Sequence, residues 1–458
     1  MPEERIPIAK RLTARNGGRV GVAALAAILS LGLGLRVAEA WDGRAPVYDA
    51  AAYAAIAANL ERGEGFALGP QGTQPASNYS PGVPLLVAGL YAATGGVHER
   101  FARLVLAMIG TLAVLFTYLI GRRLSVPAAG LIGAGAVAIY PALLEYQGML
   151  MGEPLAATLL AGAVLAMLWA SDASRHVPSV RGRWIVPGLL LGALVLVRPE
   201  YLAISLPIAV VILARHGWDG WREGLAQAGI LLVGLVLAVA PWTIRNAIAL
   251  DRFVPVSTGG GQVLFAGSYM PSGGDPERVG EEVLERHPGL ARRLAAGQSV
   301  PVDVVLEHVR LEQILAALAA QRYPGMETDA ALARIGRERL WDDVSERPLE
   351  YAGFVAAKVW RIWSHGPRDV MREPAWTIFH FVLVALGVVG LVVLARQRRW
   401  EALLIGVVLL SVTATSALLV ASPRRILVTI PLVAALAGVG AAWLAATVKQ
   451  RGPARSRG

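Results

Sequence analysis

Of the 458 residues, 55% are hydrophobic and 17% are charged, with a mean hydropathy of +0.52, values that exclude an ordinary soluble domain. The net charge of +10 is not a nucleic-acid signal, because most basic clusters fall at one set of loop ends, as the positive-inside rule requires. There is no cysteine, which excludes disulfides, a thiolate nucleophile and thiolate-bound zinc.

The apolar residues come in runs of about twenty, the length that crosses a bilayer core. The sequence therefore predicts an all-α, polytopic integral membrane protein with about ten transmembrane helices. Arg5, Lys10, Arg11, Arg15 and Arg19 place the N-terminus in the cytoplasm. The first span, over residues 20–37, has Ala38-Glu39-Ala40 as its nearest approach to a cleavage site, and it reads as a retained helix. A long first outer loop follows, over residues 38–82. Residues 83–93 are too short to span and begin beside a proline, so they read as an interfacial helix. Further spans are expected at 103–120, 128–144 and 154–170.

The apolar stretch 184–214 is interrupted by Arg198-Pro199-Glu200. One tilted helix would hold two charges at mid-depth, which is costly. Two short spans meeting at the outer surface put both charges in water, and the proline favours that break. A seventh span is expected at 228–242. Residues 246–373 lose membrane character and show apolar positions at three- and four-residue spacing, the pattern of a small, mostly helical extracytoplasmic domain. Three C-terminal spans (376–394, 402–420 and 426–448) lie in the final segment, 374–458, which ends in a basic cytoplasmic tail. With 1–245 as the N-terminal catalytic module, the charge bias is satisfied almost everywhere. Arg424 and Arg425, a basic pair on the outer side, are the exception.

In this topology Asp49, Glu145, Glu153, Arg198, Glu200, Arg245, Arg424 and Arg425 gather at outer loop ends, where ionisable groups near membrane level are functional candidates. Asp49 and Tyr53 are four residues apart, on one helical face, and Tyr79 stands where the loop turns back. A carboxylate can take a proton from an attacking hydroxyl while arginine forks grip a phosphate. Each residue also has a plainer use. Asp49 serves equally well as a helix N-cap, and Glu153-Pro154 is a typical helix start. Arg198 and Glu200 could pair only with each other, Arg424 and Arg425 could hold lipid head groups, and Gly259-Gly260-Gly261 could be a turn. The seven histidines show no paired spacing, so no motif supports a divalent metal, and no cofactor is identified.

In order along residues 40–265 stand YDAAAYAAIAANLERGEGF, NYSPGVPLLVAGLYAATGG, ARLVLAMIGTLAVLFTYLIGRRL, AIYPALLEYQGMLMGEPLAATLL, GLLLGALVLVRPE and APWTIRNAIALDRFVPVSTGGG. Together they resemble the GT-C membrane glycosyltransferases, bacterial protein-mannosyltransferase and aminoarabinose-transferase types in particular. The resemblance implies a multi-pass enzyme of the inner (plasma) membrane, with an extracytoplasmic active site and both termini cytoplasmic. Its partners would be a polyprenyl-phosphate sugar donor, an extracytoplasmic acceptor and membrane lipids, with no nucleic acid. It implies Asp49 as general base, and places Glu153 and Arg198 in the donor-phosphate or acceptor cleft. Tyr53, Tyr79, Glu200, Arg245 and Arg425 complete the expected substrate-binding set. Ala50 stands where the family commonly has a second acid, and Ser80-Pro81-Gly82 lacks the lysine of the Lys-Pro-Pro turn of some relatives. The alternative reading is a transporter or flippase of lipid-linked glycans, whose hallmark would be broken helices in matching halves.

Overall fold

The computed structural model describes residues 8–42, 46, 49–176, 178–298, 300–364 and 366–451. Arg5, Arg455 and Arg457 of the basic termini lie outside these residues. Apart from one small hairpin, the regular structure of the described residues is helical, as a bilayer demands of backbone that must satisfy its own hydrogen bonds. Helix α1 (Ile8–Asp42) leads to α2 (Asp49–Glu61), then to β1 (Ala67–Leu68) and β2 (Gln74–Pro75), then to α3 (Gly82–Thr94). The two strands are antiparallel, with Ala67 opposite Pro75. Next come α4 (Glu99–Leu124), α5 (Pro127–Ala138), α6 (Pro141–Gln147), α7 (Gly152–His176), α8 (Ile185–Val197), α9 (Ser205–Ala214) and α10 (Trp221–Leu250). Seven further helices follow: α11 (Gly260–Ser268), α12 (Val279–Arg286), α13 (Pro288–Leu294), α14 (Val302–His308), α15 (Leu311–Arg322), α16 (Thr328–Glu346) and α17 (Pro348–Ser364). The chain closes with α18 (Pro374–Arg396), α19 (Trp400–Leu418), α20 (Pro423–Leu427) and α21 (Ile430–Arg451).

Among the described residues, α1, α4, α7, α10, α18, α19 and α21 are long and apolar enough to cross a membrane. The expected span at 128–144 is bent: α5 and α6 meet at 52° and would together make an eighth. The cause is Pro141, which has no N–H for the Val137 carbonyl. Buried Arg36 of α1 supplies the missing donors, Nη2 reaching Val137 O at 3.1 Å and Nη1 reaching Ala138 O at 3.3 Å. A cation inside α1 thus repairs a broken helix. The two remaining expected spans are the short helices α8 and α9, parted at Arg198 and Pro199 as the proline indicated. Arg198, at the end of α8, sits beside Glu153 at the start of α7. Arg215, just after α9, donates to Ser171 Oγ near the other end of α7 and lies over the Trp184 ring before α8. The pair therefore runs out and back.

Helix α7 is the axis of the bundle: 83% of its apolar window is buried inside the protein, against 11% for α1. Small residues let its neighbours close in. On α18 and α21, a Cβ on Gly390 would meet Leu436 O at 2.0 Å, and one on Gly440 would meet Leu386 O at 2.2 Å, so the backbones touch. Helix α10 passes through position 245 without a break and ends at Leu250. Helices α11–α16 then build a separate apolar core around Phe265, Tyr269, Leu284, Leu315 and Leu332. The triple glycine starts α11: Gly259 has φ +94°, and the Gly261 and Gln262 amides donate to Asp329 Oδ1 of α16 at 2.8 and 3.2 Å. Lys358 of α17 fastens this region to the bundle. It is buried and donates to Gly267 O and Leu419 O, both at 2.7 Å. Burial, with the Arg425 charge, pushes its ammonium pKa down to about 7.

Candidate functional site

The site forms where four separate pieces of chain meet at one end of α7. Glu153, in the first turn of that helix, is fully buried. An isolated carboxylate there would be prohibitively costly, and two guanidinium groups compensate it. Arg424 Nε donates to Glu153 Oε1 at 2.7 Å, and Arg198 Nη2 makes a close ion pair with the same oxygen. Glu153 Oε2 is buried and has no hydrogen-bond partner among the described residues. Arg424 then reaches outward: its Nη2 donates to Asp49 Oδ2 at 3.1 Å, where the Asp49 side chain is 43% exposed. One guanidinium thus ties an exposed carboxylate to a buried one.

Local sequence explains each position. Asp49 opens α2, the first helix of the outer loop, and Tyr53 lies one turn on. Tyr53 meets Tyr79 edge to face, with ring centroids 6.1 Å apart. Burial raises the pKa of both phenols, so they stay neutral hydrogen-bonding groups beside the carboxylate. The loop is held against the bundle at Gly82, where a Cβ would come within 2.6 Å of Val197 Cγ2 and 2.9 Å of Val197 N. That contact sets α3 directly beside Arg198.

Pro199 ends α8 and starts a 3-10 turn that places Arg198, Glu200 and Tyr201 together. Glu200 lies 3.7 Å from Arg198 Nη1. Tyr201 OH donates to the Arg425 carbonyl at 3.0 Å, which locks the 198–201 turn onto α20. The five-residue α20 is started by Pro423 and capped by Ser422, and it presents Arg424 and Arg425 on successive positions. Burial works against the Arg424 charge, but the Glu153 carboxylate outweighs it and holds the guanidinium more firmly protonated than usual. Tyr146, at the end of α6, lies under Arg424 with its ring centroid 5.7 Å from the guanidinium carbon. Arg425 Nη1 is buried without a hydrogen-bond partner among the described residues.

Asp49, Tyr53, Tyr79, Glu153, Arg198, Glu200 and Arg425 are thus all part of this cluster or packed against it. Arg245 lies apart: it stacks over Trp242 at 4.9 Å and Phe66 at 5.6 Å and donates to Asn246 Oδ1. Glu145 pairs with Arg368 instead of joining the Glu153 cluster. The substrate-binding set drawn from the sequence omits Arg424, the residue through which the cluster is connected. The signal was present: a basic pair on the outer side breaks the charge bias, and such a pair needs carboxylates nearby. Tyr146 and Tyr201 carry no sequence signal of their own. Among the described residues, no group of three or more His, Asp or Glu could hold a metal ion.

No protein-family model and no curated protein matches the sequence. Solved structures do match the fold. The archaeal oligosaccharyltransferase AglB from Archaeoglobus fulgidus, in complex with an inhibitory peptide and a dolichol-phosphate, overlays with a TM-score of 0.55 at 14% identity. The match covers 95% of this chain and 52% of that one. The apo form of the Archaeoglobus fulgidus enzyme gives a TM-score of 0.56 at 13% identity, over 94% of this chain and 51% of that one. ArnT from Cupriavidus metallidurans bound to undecaprenyl phosphate reaches only 0.39 at 15% identity, over 93% and 79% of the two chains, too low to bear on the argument. The chain spans about half the length of the oligosaccharyltransferases it matches. At this identity the likeness concerns the fold alone: the chain shares the polytopic membrane fold of these oligosaccharyltransferases over the half it matches.

Proposed function

We propose that the protein is an integral-membrane glycosyltransferase. It moves a sugar from a polyprenyl-phosphate donor to an acceptor on the outer side of the membrane, with Asp49 as general base. The observation that carries this reading is the bridge from Asp49 through Arg424 to buried Glu153. A base must be reachable by the acceptor yet fixed in direction, and a half-exposed carboxylate held at one oxygen by an anchored guanidinium meets both needs. Arg424 engages Oδ2 alone, which leaves Oδ1 to accept the acceptor's proton. Arg425, with a buried N–H lacking a partner, would take the donor phosphate, because an anion there satisfies a donor that is otherwise costly to bury. Arg198 completes the positive rim. In an inverting displacement one base suffices: the acceptor oxygen attacks the anomeric carbon, its proton passes to Asp49, and the lipid phosphate leaves. The polyprenyl tail stays in the bilayer, so only the head group has to be gripped.

The alternative is a lipid-linked glycan transporter. The break between α5 and α6 adds a second interruption to the one at Pro199, but both lie within residues 1–245 and do not stand in matching halves, so they do not favour it. One experiment separates them. Purified wild type and Asp49→Asn are placed in lipid nanodiscs with a panel of radiolabelled polyprenyl-phosphate sugars and an envelope extract as acceptor. The enzyme reading expects sugar transfer by wild type that falls by roughly a hundred- to ten-thousandfold in the variant, with donor binding retained. Equal transfer by both would remove Asp49 from the role. Lipid-linked glycan crossing a vesicle bilayer without any transfer would favour the transporter.

A further inference from the structure

At the opposite end of α7 lies a polar cavity of about 530 Å³, lined by Arg123, Asp172, Arg215, Arg398, Arg399, Trp400 and Glu401. From Glu153 to Asp172 the helix advances about 28 Å at 1.5 Å per residue, close to the thickness of a bilayer core. This cavity therefore sits at the other membrane boundary. Indole rings mark that level: Trp169 and Trp221 are exposed there, and Trp184 and Trp400 flank the cavity, as expected at head-group depth.

Its charges do not balance. Four arginines face two carboxylates, and both carboxylates are already engaged. Asp172 accepts from Arg123 Nη2 at 2.6 Å, and Glu401 accepts from Arg399 Nη2 at 2.9 Å. Arg399 also donates to the Leu124 carbonyl at the end of α4. Arg215 is held in the wall, 4.7 Å over the Trp400 ring, with its Nη1 donating to Ser171 Oγ. Arg398 projects from the tight turn joining α18 and α19, with φ +53°, a left-handed conformation that costs a residue with a side chain. Arg123 Nε, within the same cavity, is buried and has no hydrogen-bond partner among the described residues. We propose that this cavity is a binding site for a phosphate anion, and that the phosphate belongs to the head group of an anionic membrane lipid. A surplus of arginines in a pocket between transmembrane helices, at head-group level, is the arrangement such a lipid requires, and the volume suits one head group.

The test uses the full-length protein in detergent. Affinity for phosphatidylglycerol, cardiolipin, phosphatidylcholine and inorganic phosphate is measured by native mass spectrometry and by shift of the melting temperature. Three forms are compared: wild type, Arg398→Glu, and Arg222→Glu, a reversal of another exposed arginine at the same end that does not line the cavity. The proposal expects the anionic lipids to bind and phosphatidylcholine not to. Arg398→Glu should weaken their binding roughly tenfold or more, while Arg222→Glu should change it little. Binding of inorganic phosphate with the same Arg398 dependence, and no tighter binding of lipid, would keep the phosphate site but assign it to a soluble anion. Equal loss in both reversals would overturn the cavity in favour of general surface charge, and equal binding of phosphatidylcholine would overturn it outright.

Discussion

The two ends of α7 handle charge in opposite ways. At one end Asp49, Glu153 and Glu200 meet Arg198, Arg424 and Arg425, and the fully buried carboxylate has two guanidinium partners. At the other end arginines outnumber carboxylates in a cavity where the Arg123–Asp172 pair is partly exposed and only Glu401, held by Arg399, is buried. The balanced end is part of the fold's own cohesion, so apart from the unpartnered Arg425 Nη1 a substrate there must work through groups already engaged. The end with surplus charge has capacity to spare for an anion. Loss of one residue should therefore be felt very differently at the two ends.

The largest effect on stability is expected from Glu153→Ala, which leaves Arg198 and Arg424 uncompensated in a buried setting. It should cost about 3–5 kcal/mol, read as a large fall in melting temperature in detergent. Asp172→Ala at the other end removes a carboxylate that is 47% exposed and should cost no more than about 1 kcal/mol. Similar losses in the two variants would break the comparison.

Lys358 tests the joint next to the balanced end. Its folded pKa of about 7 lies below the ordinary lysine value, so between these two values the unfolded chain binds more protons. Stability should therefore rise as pH increases from about 7 towards 10 and level off below about 7, where folded and unfolded chains both hold the proton. Lys358→Met should remove that slope in the melting curves, and a slope that persists would place the titrating group elsewhere. A smaller effect is expected from Tyr201→Phe, which deletes the hydrogen bond to the Arg425 carbonyl and should cost about 1 kcal/mol. Arg398→Glu should leave sugar transfer unchanged while weakening lipid binding. A matching loss of transfer would mean that the two ends are coupled.

Much of this was legible in the sequence, for physical reasons. Runs of apolar residues have few folding options in a bilayer, so the helical, many-span architecture followed from composition. The Arg198-Pro199-Glu200 interruption announced the break between α8 and α9, because buried charge and a missing N–H point the same way. The bend at Pro141 was not read, since its repair depends on Arg36, more than a hundred residues earlier. Asp49, Glu153 and Arg198 were found because isolated charges at span ends stand out. Arg424 was noticed only as an anomaly in sidedness. Its partners lie some 270 and 375 residues back in the chain, and nothing local in PRRIL distinguishes it from Arg425. Tyr146 and Tyr201 look like ordinary interfacial aromatics until the fold sets them under Arg424 and against α20.

The most direct test of the account is a double-mutant cycle on sugar transfer with Asp49→Asn, Arg424→Gln and the two combined, all assayed in nanodiscs at matched fold content. If Arg424 acts by holding Asp49, each single change lowers turnover and the double variant is no slower than Asp49→Asn alone. If the two losses multiply instead, Arg424 works independently of Asp49, and the bridge from the exposed to the buried carboxylate is not what orients the base.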